Sequence, residues 1–192
     1  MQVKIENTFT DDIKELRKKS YAKYNYDGID EIDETLNEKY KWYINCYKDG
    51  ELIGSSRLIR KHMPFRDHYD DIETSHNDFE VGRLCIDDRY SAPQKFQMLV
   101  EMSKYAIGIC LAENCDKLFA SAKCPNNFIY EKLVGFKQIS EPQAYPPLNT
   151  GVYLLALDFK KEYNNRKKKF FDLTEDFINS IRMQLTECKM AA

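Results

Sequence analysis

Glycine is scarce, with seven in 192 residues, which argues against a glycine-rich loop of the kind that cradles phosphates through its backbone. No run approaches the roughly 18 consecutive apolar residues that a membrane-spanning helix needs. The first residues, Met1-Gln2-Val3-Lys4-Ile5-Glu6, lack a basic stretch followed by an apolar core, so no secretory signal is expected and a cytoplasmic location is. There is no excess of charge of either sign. With 29 Lys+Arg against 31 Asp+Glu the net charge is -2, which excludes general attraction to nucleic acid or to an anionic membrane and leaves partners to be recognised locally. The six cysteines, at 46, 85, 110, 115, 124 and 188, form no C-x-x-C pair and sit mostly in apolar segments, the pattern of reduced thiols rather than disulfides or a zinc site. Histidine is limited to His62, His68 and His76, which together with Asp67, Asp70, Asp71 and Asp78 match no ligand spacing.

What is present is enough for one folded domain: 43% hydrophobic and 13% aromatic residues over this length can bury a sizeable core. Val3–Ile5 reads as a short strand. Thr10-Asp11-Asp12 caps a helix with Ile13, Leu16, Ser20 and Tyr21 at helical spacing. After an acidic loop over 25–37, Tyr40–Tyr47 is dense in aromatic and β-branched residues, Lys48-Asp49-Gly50-Glu51 is a turn, and Leu52–Ile59 extends again, giving an antiparallel hairpin. Residues 61–78 read as a surface loop. Phe79–Asp87 is an apolar strand, Pro93–Asn114 a helix with proline in its first turn, and Leu118–Ala122 a buried strand. Pro125–Leu133 is expected as a helix, Gly135–Ile139 and Val152–Leu157 as strands. A basic linker at 160–169 precedes a helix beginning near Asp172-Leu173-Thr174-Glu175, with Phe177, Ile178, Ile181 and Leu185 on its apolar side. The order predicts a mixed α/β sheet layered by helices, with no internal repeat.

The most informative stretch is Phe79-Glu80-Val81-Gly82-Arg83-Leu84-Cys85-Ile86-Asp87 and the polar turn that follows it. A strand that hands over to a helix presents unpaired backbone N–H groups at the helix N-terminus, where a pyrophosphate or pantetheine chain can be held. Strand alternation puts Glu80 and Gly82 on one face and Val81 and Arg83 on the other. Glu80 and Arg83 therefore share a face only if a bulge intervenes, and Gly82 is the residue expected to allow one.

Taken together these segments resemble the GNAT acyltransferase superfamily, over roughly residues 10–157, and within it the branch of acyl-homoserine-lactone synthases and long-chain N-acyl amino acid synthases. Asn126-Asn127-Phe128-Ile129-Tyr130 through Gly135-Phe136 is similar to the superfamily's late helix, with one more residue between tyrosine and Gly-Phe than its usual pattern. Glu80-x-x-Arg83 is similar to the branch's Glu-x-Ser-Arg, with Gly82 in place of the serine. Gly54-Ser55-Ser56-Arg57-Leu58 resembles its Gly-x-x-Arg-Leu strand and Asp30-Glu31-Ile32-Asp33 its Asp-x-x-Asp, while Arg17 and Tyr21 fall where the branch has an arginine and an aromatic residue. The superfamily's glycine-rich donor loop is reduced to Arg89-x-x-Ala92-x-Gln94.

The resemblance implies a mostly antiparallel central sheet flanked by helices, with residues 1–158 as the acyltransferase domain and 159–192 as a basic linker and extra helix packed on it. It implies an N-acyltransferase that takes an acyl group, expected to be fatty, from a carrier-protein or CoA thioester to the amine of an amino acid or a homoserine-lactone-like acceptor. No permanently bound cofactor, metal, nucleic acid or integral membrane contact is expected. Glu80, its pKa raised if the strand buries it, is the expected general base, or else only the ion-pair partner of Arg57 or Arg83. Tyr130 is the expected acid for the leaving sulfur, or a packing residue. Asp30, Asp33, Arg57, Arg83 and Arg17 are assigned to the acceptor. Cys85, Ile86, Arg89, Ser91, Ala92, Gln94, Lys95 and Asn127 are assigned to the donor, with the backbone N–H of Cys85 or Ile86 polarising the thioester carbonyl. The aromatics Phe9, Tyr21, Tyr24, Tyr26, Trp42 and Tyr43 either wall an acyl tunnel or pack in the core. Two other readings stay open: an acetyl-CoA-dependent N-acetyltransferase of a small amine or peptide, and a non-catalytic module that binds an acyl ligand.

Overall fold

Alternation and turn chemistry build the first half of the sheet. The computed structural model describes residues 1–22, 40–60, 72–123, 126–145, 150–159 and 171–191. Strand β1 (Gln2–Glu6) leads to helix α1 (Asp11–Tyr21), whose first turn is closed by the Thr10 hydroxyl accepting the Ile13 N–H. Strands β2 (Lys41–Lys48) and β3 (Glu51–Arg60) form the expected hairpin, and Asp49 and Gly50 both take positive φ (53° and 84°). That pair of values is the two-residue turn whose twist suits a hairpin.

Strand β4 (Phe79–Ile86) runs antiparallel to β3, and helix α2 (Ala92–Ala112) carries the chain back to β5 (Lys117–Ala122). A segment α3 (Asn126–Val134) precedes β6 (Lys137–Gln138), β7 (Gln143–Tyr145), β8 (Thr150–Asp158) and helix α4 (Glu175–Ala191). The strand order is β1-β2-β3-β4-β5-β8-β6, with β7 also on β8, and β4–β5 is the parallel pair among otherwise antiparallel ones. The protein is a mixed α/β fold with a mostly antiparallel sheet flanked by helices and ending in a C-terminal helix.

The two faces of the sheet are covered differently. Alternation sends Trp42, Ile44, Leu58 and Phe79 into the main core beneath α2 and α4, with Trp42 stacked on Phe79 at 5.7 Å between centroids. Ile13 and Leu16 of α1 pack with Tyr43, Leu52 and Cys85 on the other face. Helix α4 lies close on α2: a Cβ at Gly108 would stand 3.0 Å from the Phe177 ring, so glycine there permits the contact. No helix among the described residues is long and apolar enough to cross a membrane.

Three boundaries differ from the sequence reading. The strand expected over 135–139 shrinks to Lys137–Gln138, because Gly135 takes φ +90° and Phe136 is drawn into the core. A further short strand, β7, pairs with the start of β8 ahead of the two prolines. Asp78 is buried rather than part of a surface loop: its carboxylate accepts the backbone N–H groups of Ser75 (2.7 Å) and Lys117 (2.9 Å) and so ties β4 to β5 at its start.

Candidate active site

Strand β4 is paired on both sides only at its beginning. Phe79, Glu80 and Val81 lie in register with Leu118, Phe119 and Ala120 of β5, after which the two parallel strands part. A cavity of about 820 Å3 occupies the split. On the α2 side it is walled by Leu99, Met102, Ala106, Ile107 and Phe136, and on the α1 side by Ser20, Tyr21, Arg57 and Glu80. It thus passes through the sheet, apolar on one side and polar on the other.

The parting coincides with an irregularity in β4. Arg57 stands opposite Gly82 and Ser55 opposite Cys85, so β4 holds one residue more than β3 over this stretch. This bulge brings Glu80 and Arg83 to the same cavity. Gly82 does not supply the backbone freedom as expected. Arg83 itself adopts the left-handed conformation, φ 56°, and a Cβ at Gly82 would meet nothing within 4 Å. The left-handed conformation costs Arg83 about 1–2 kcal/mol.

Arg57 and Gly82 are cross-strand neighbours, and Glu80 stands two residues from Gly82 on the same face. Their side chains therefore meet: Arg57 Nη2 lies 3.6 Å from Glu80 Oε1, with both residues almost wholly buried (2% and 3% exposed). Arg17 is buried on this same face, its guanidinium over the rings of Phe9 (4.9 Å) and Tyr43 (5.5 Å), outside the cavity lining. Asp30 and Asp33, like Tyr24, Tyr26 and Cys124, lie outside the described residues.

The direction of each N–H along the open half of β4 follows from the ladder. Asp87 N–H donates to the Ile53 carbonyl at 2.9 Å, and Ser55 and Cys85 are the next hydrogen-bonded pair two residues away. Cys85 N–H therefore points to β3. Ile86 N–H points the opposite way, into the split, where β5 no longer offers a partner. Of Cys85 and Ile86, Ile86 is the one whose N–H faces the split.

Tyr130 lines the cavity with its ring edge-on to Phe136 (6.2 Å), and burial pushes its phenol up to about 12. The extra residue before Gly135-Phe136 is absorbed in a wide turn: Gly135 N–H reaches back five residues to the Tyr130 carbonyl at 3.0 Å. Tyr130 is kept on the cavity wall by that turn. Sequence reasoning passed over Asn126, which lines the cavity, whereas Asn127 is buried with its amide 3.4 Å from Glu131 Oε1.

The turn between β4 and α2 is occupied by its own contacts. Arg89 pairs with Asp87 and with Glu51. Gln94 Oε1 accepts from the Ser91 N–H (3.0 Å) and hydroxyl (2.9 Å), and neither Ser91, Gln94 nor Arg89 lines the cavity. Ala92 and Lys95 do line it, Lys95 with its ammonium group 2.7 Å from Asp88.

The family model for the N-acyl amino acid synthase FeeM matches residues 12–158. Among solved structures, FeeM from uncultured soil microbes superposes with a TM-score of 0.63 at 16% identity, covering 84% of this chain and 97% of that one. The AHL synthase LasI gives 0.64 at 14%, covering 88% and 92%. The Escherichia coli protein ElaA gives 0.62 at 12%, covering 82% and 100%. No curated protein matches the sequence. These likenesses fix the fold and the family match fixes the class of reaction: the chain belongs to the FeeM N-acyl amino acid synthase family and is an acyltransferase that acts on nitrogen.

Proposed function

We propose that the protein transfers a fatty acyl group from an acyl-pantetheine thioester borne on a carrier protein to the amine of an amino acid or a homoserine-lactone-like acceptor. The observation that carries this reading is the cavity through the β4–β5 split, apolar beneath α2 and polar beneath α1. At about 820 Å3 it falls in the upper part of the ~300–1,000 Å3 range of sites that bury a whole drug-sized ligand, far more than an acetyl group needs. The acyl chain fits among Met102, Ala106, Ile107 and Phe136. Its carbonyl meets Ile86 N–H, and the acceptor approaches from the side of Glu80 and Arg57.

In this arrangement Glu80 takes a proton from the attacking ammonium group, directly or through water, and the neutral amine adds to the thioester carbonyl. Charge develops on the carbonyl oxygen, where Ile86 N–H stabilises it. Collapse expels the pantetheine thiolate. The Tyr130 phenol, protonated across the physiological range, hydrogen-bonds the departing sulfur and passes it a proton, replaced by the second proton that the nitrogen sheds as the amide forms, so that burial, which makes the phenol a weaker acid, favours this relay over a free tyrosinate. The forked guanidinium groups of Arg57 and Arg83 suit a carboxylate or lactone oxygen on the acceptor. A carrier-borne donor is supported by the turn at 87–95, where Arg89, Ser91 and Gln94 are engaged with neighbouring side chains rather than open to a CoA pyrophosphate. Residues 1–158 carry this chemistry, with the C-terminal helix as a support beneath α2.

Thiol release from C2 to C14 acyl thioesters, each on a carrier protein and on CoA, with amino acids and homoserine lactone as amines, tests the reading. Long acyl chains on the carrier protein are expected to be used best. Acetyl-CoA as the best donor makes the protein an acetyltransferase, and silence with every donor leaves an acyl-binding module.

A further inference from the structure

The open edge of β4 carries carbonyls as well as N–H groups, and a carbonyl oxygen facing the cavity opposes any negative charge that forms there. By the alternation that aims Ile86 N–H into the split, the Ile86 carbonyl points the same way. That carbonyl accepts the Ser20 hydroxyl at 3.2 Å, and the Leu84 carbonyl accepts the Tyr21 hydroxyl at 2.8 Å. The Gly82 carbonyl accepts the Ser56 hydroxyl at 3.3 Å. Ser20 and Tyr21 are consecutive residues in the last turn of α1, and both line the cavity.

We propose that Tyr21 and Ser20 are positioning residues that make the open edge of β4 electrostatically one-sided: their hydroxyls occupy its two carbonyls, so that the Ile86 N–H is the group presented to the reacting carbonyl. Peptide planarity makes the first contact directional as well. With the Leu84 oxygen held toward Tyr21, the Cys85 N–H of the same peptide must point away, into the ladder with β3. The next peptide, which carries Ile86 N–H, is then set by a ladder on one side and a hydroxyl on the other. The bulge at Arg83 would otherwise leave this stretch held from β3 alone. Tyr21 is thereby committed to the backbone, which separates its role from that of Tyr130.

The inference rests on the reading of Ile86 as the carbonyl's partner, and the test separates the two. The probe is a long-chain acyl-pantetheine analogue with a 13C-labelled ketone in place of the thioester, observed by isotope-edited infrared spectroscopy in wild type, Tyr21→Phe and Ser20→Ala. The ketone stretch is expected to move to lower frequency on binding wild type and to lose most of that displacement in Tyr21→Phe, which keeps the ring. In parallel, kcat for acyl transfer should fall ~10- to 100-fold in Tyr21→Phe with thioester KM within about twofold, the split expected when transition-state stabilisation alone is lost. Ser20→Ala should show a smaller loss, restored by Ser20→Thr. A displacement retained in Tyr21→Phe with unchanged kcat overturns the positioning role and leaves Ile86 in place. No displacement in wild type overturns the assignment of Ile86, and the positioning role with it.

Discussion

The two halves of β4 share one strand and differ in almost everything that holds them. Phe79–Val81 is paired on both sides, with Glu80 in register with Ile59 on β3 and Phe119 on β5, and Asp78 clamps its start. Gly82–Ile86 is paired on one side, interrupted by a bulge, strained at Arg83 and bounded on the other side by the cavity. The closed half fixes where the strand lies, while the open half supplies groups that a neighbouring strand would otherwise consume. Glu80 sits at the boundary, placed by the first half and lining the cavity beside the second. A reactive group needs both: a backbone that cannot drift, and a side chain that opens onto substrate.

The sharpest way to break that boundary is Glu80→Gln, which keeps the shape and removes the proposed base. The expected loss is ~10²- to 10⁴-fold in kcat, with thioester KM little changed. A loss below tenfold across pH 7 to 9, followed by thiol release, would leave Glu80 as the partner of Arg57 and nothing more.

Asp78→Ala attacks the closed half. Two backbone N–H groups, those of Ser75 and Lys117, lose their acceptor, which should cost about 2–4 kcal/mol of stability in denaturant unfolding. The pH dependence has a definite sign. Burial holds the Asp78 carboxyl above its ordinary pKa, so the folded state binds this proton more tightly than the unfolded chain. The stability linked to that proton is present at pH below the ordinary carboxylate value and is lost as the pH rises through the folded one. Urea midpoints between pH 3 and 7 should show wild type losing this increment on the way up while Asp78→Ala does not.

The closed half was the more legible in sequence because its features are carried by side-chain pattern. A run dense in aromatic and β-branched residues marked β2, an extended apolar run marked each of β3 and β4, Asp49-Gly50 marked the hairpin, Glu80 and Arg83 stood out as charges in an apolar strand, and Arg57 came from the family resemblance. The conflict between Glu80 and Arg83 under strict alternation pointed to a bulge. It could not say which residue takes the positive φ, because Arg83 does so against its own preference while a glycine stands beside it. The wide turn at Tyr130 was visible only as one residue too many. The contacts of Ser20 and Tyr21 to β4 carbonyls span more than sixty positions and involve backbone acceptors, which every residue possesses. Asp78 was hidden among the polar residues of a loop, where burial has no periodicity to announce it.

The smallest expected effect isolates the strain in the open half. Arg83→Ala and Arg83→Gly both remove the guanidinium and should lower activity alike, with the loss concentrated in acceptor KM. They differ in backbone cost. Alanine retains the left-handed penalty of about 1–2 kcal/mol, whereas glycine relieves it at the expense of about 0.5–1 kcal/mol of added chain entropy in the unfolded state. Arg83→Gly should therefore unfold at a higher denaturant concentration than Arg83→Ala, by a margin near 1 kcal/mol. If Arg83→Gly instead unfolds at the lower denaturant concentration, by the ~0.5–1 kcal/mol that its chain entropy alone costs, the conformation at Arg83 carries no strain, and the bulge is held by its own geometry rather than imposed by the splitting of the strands.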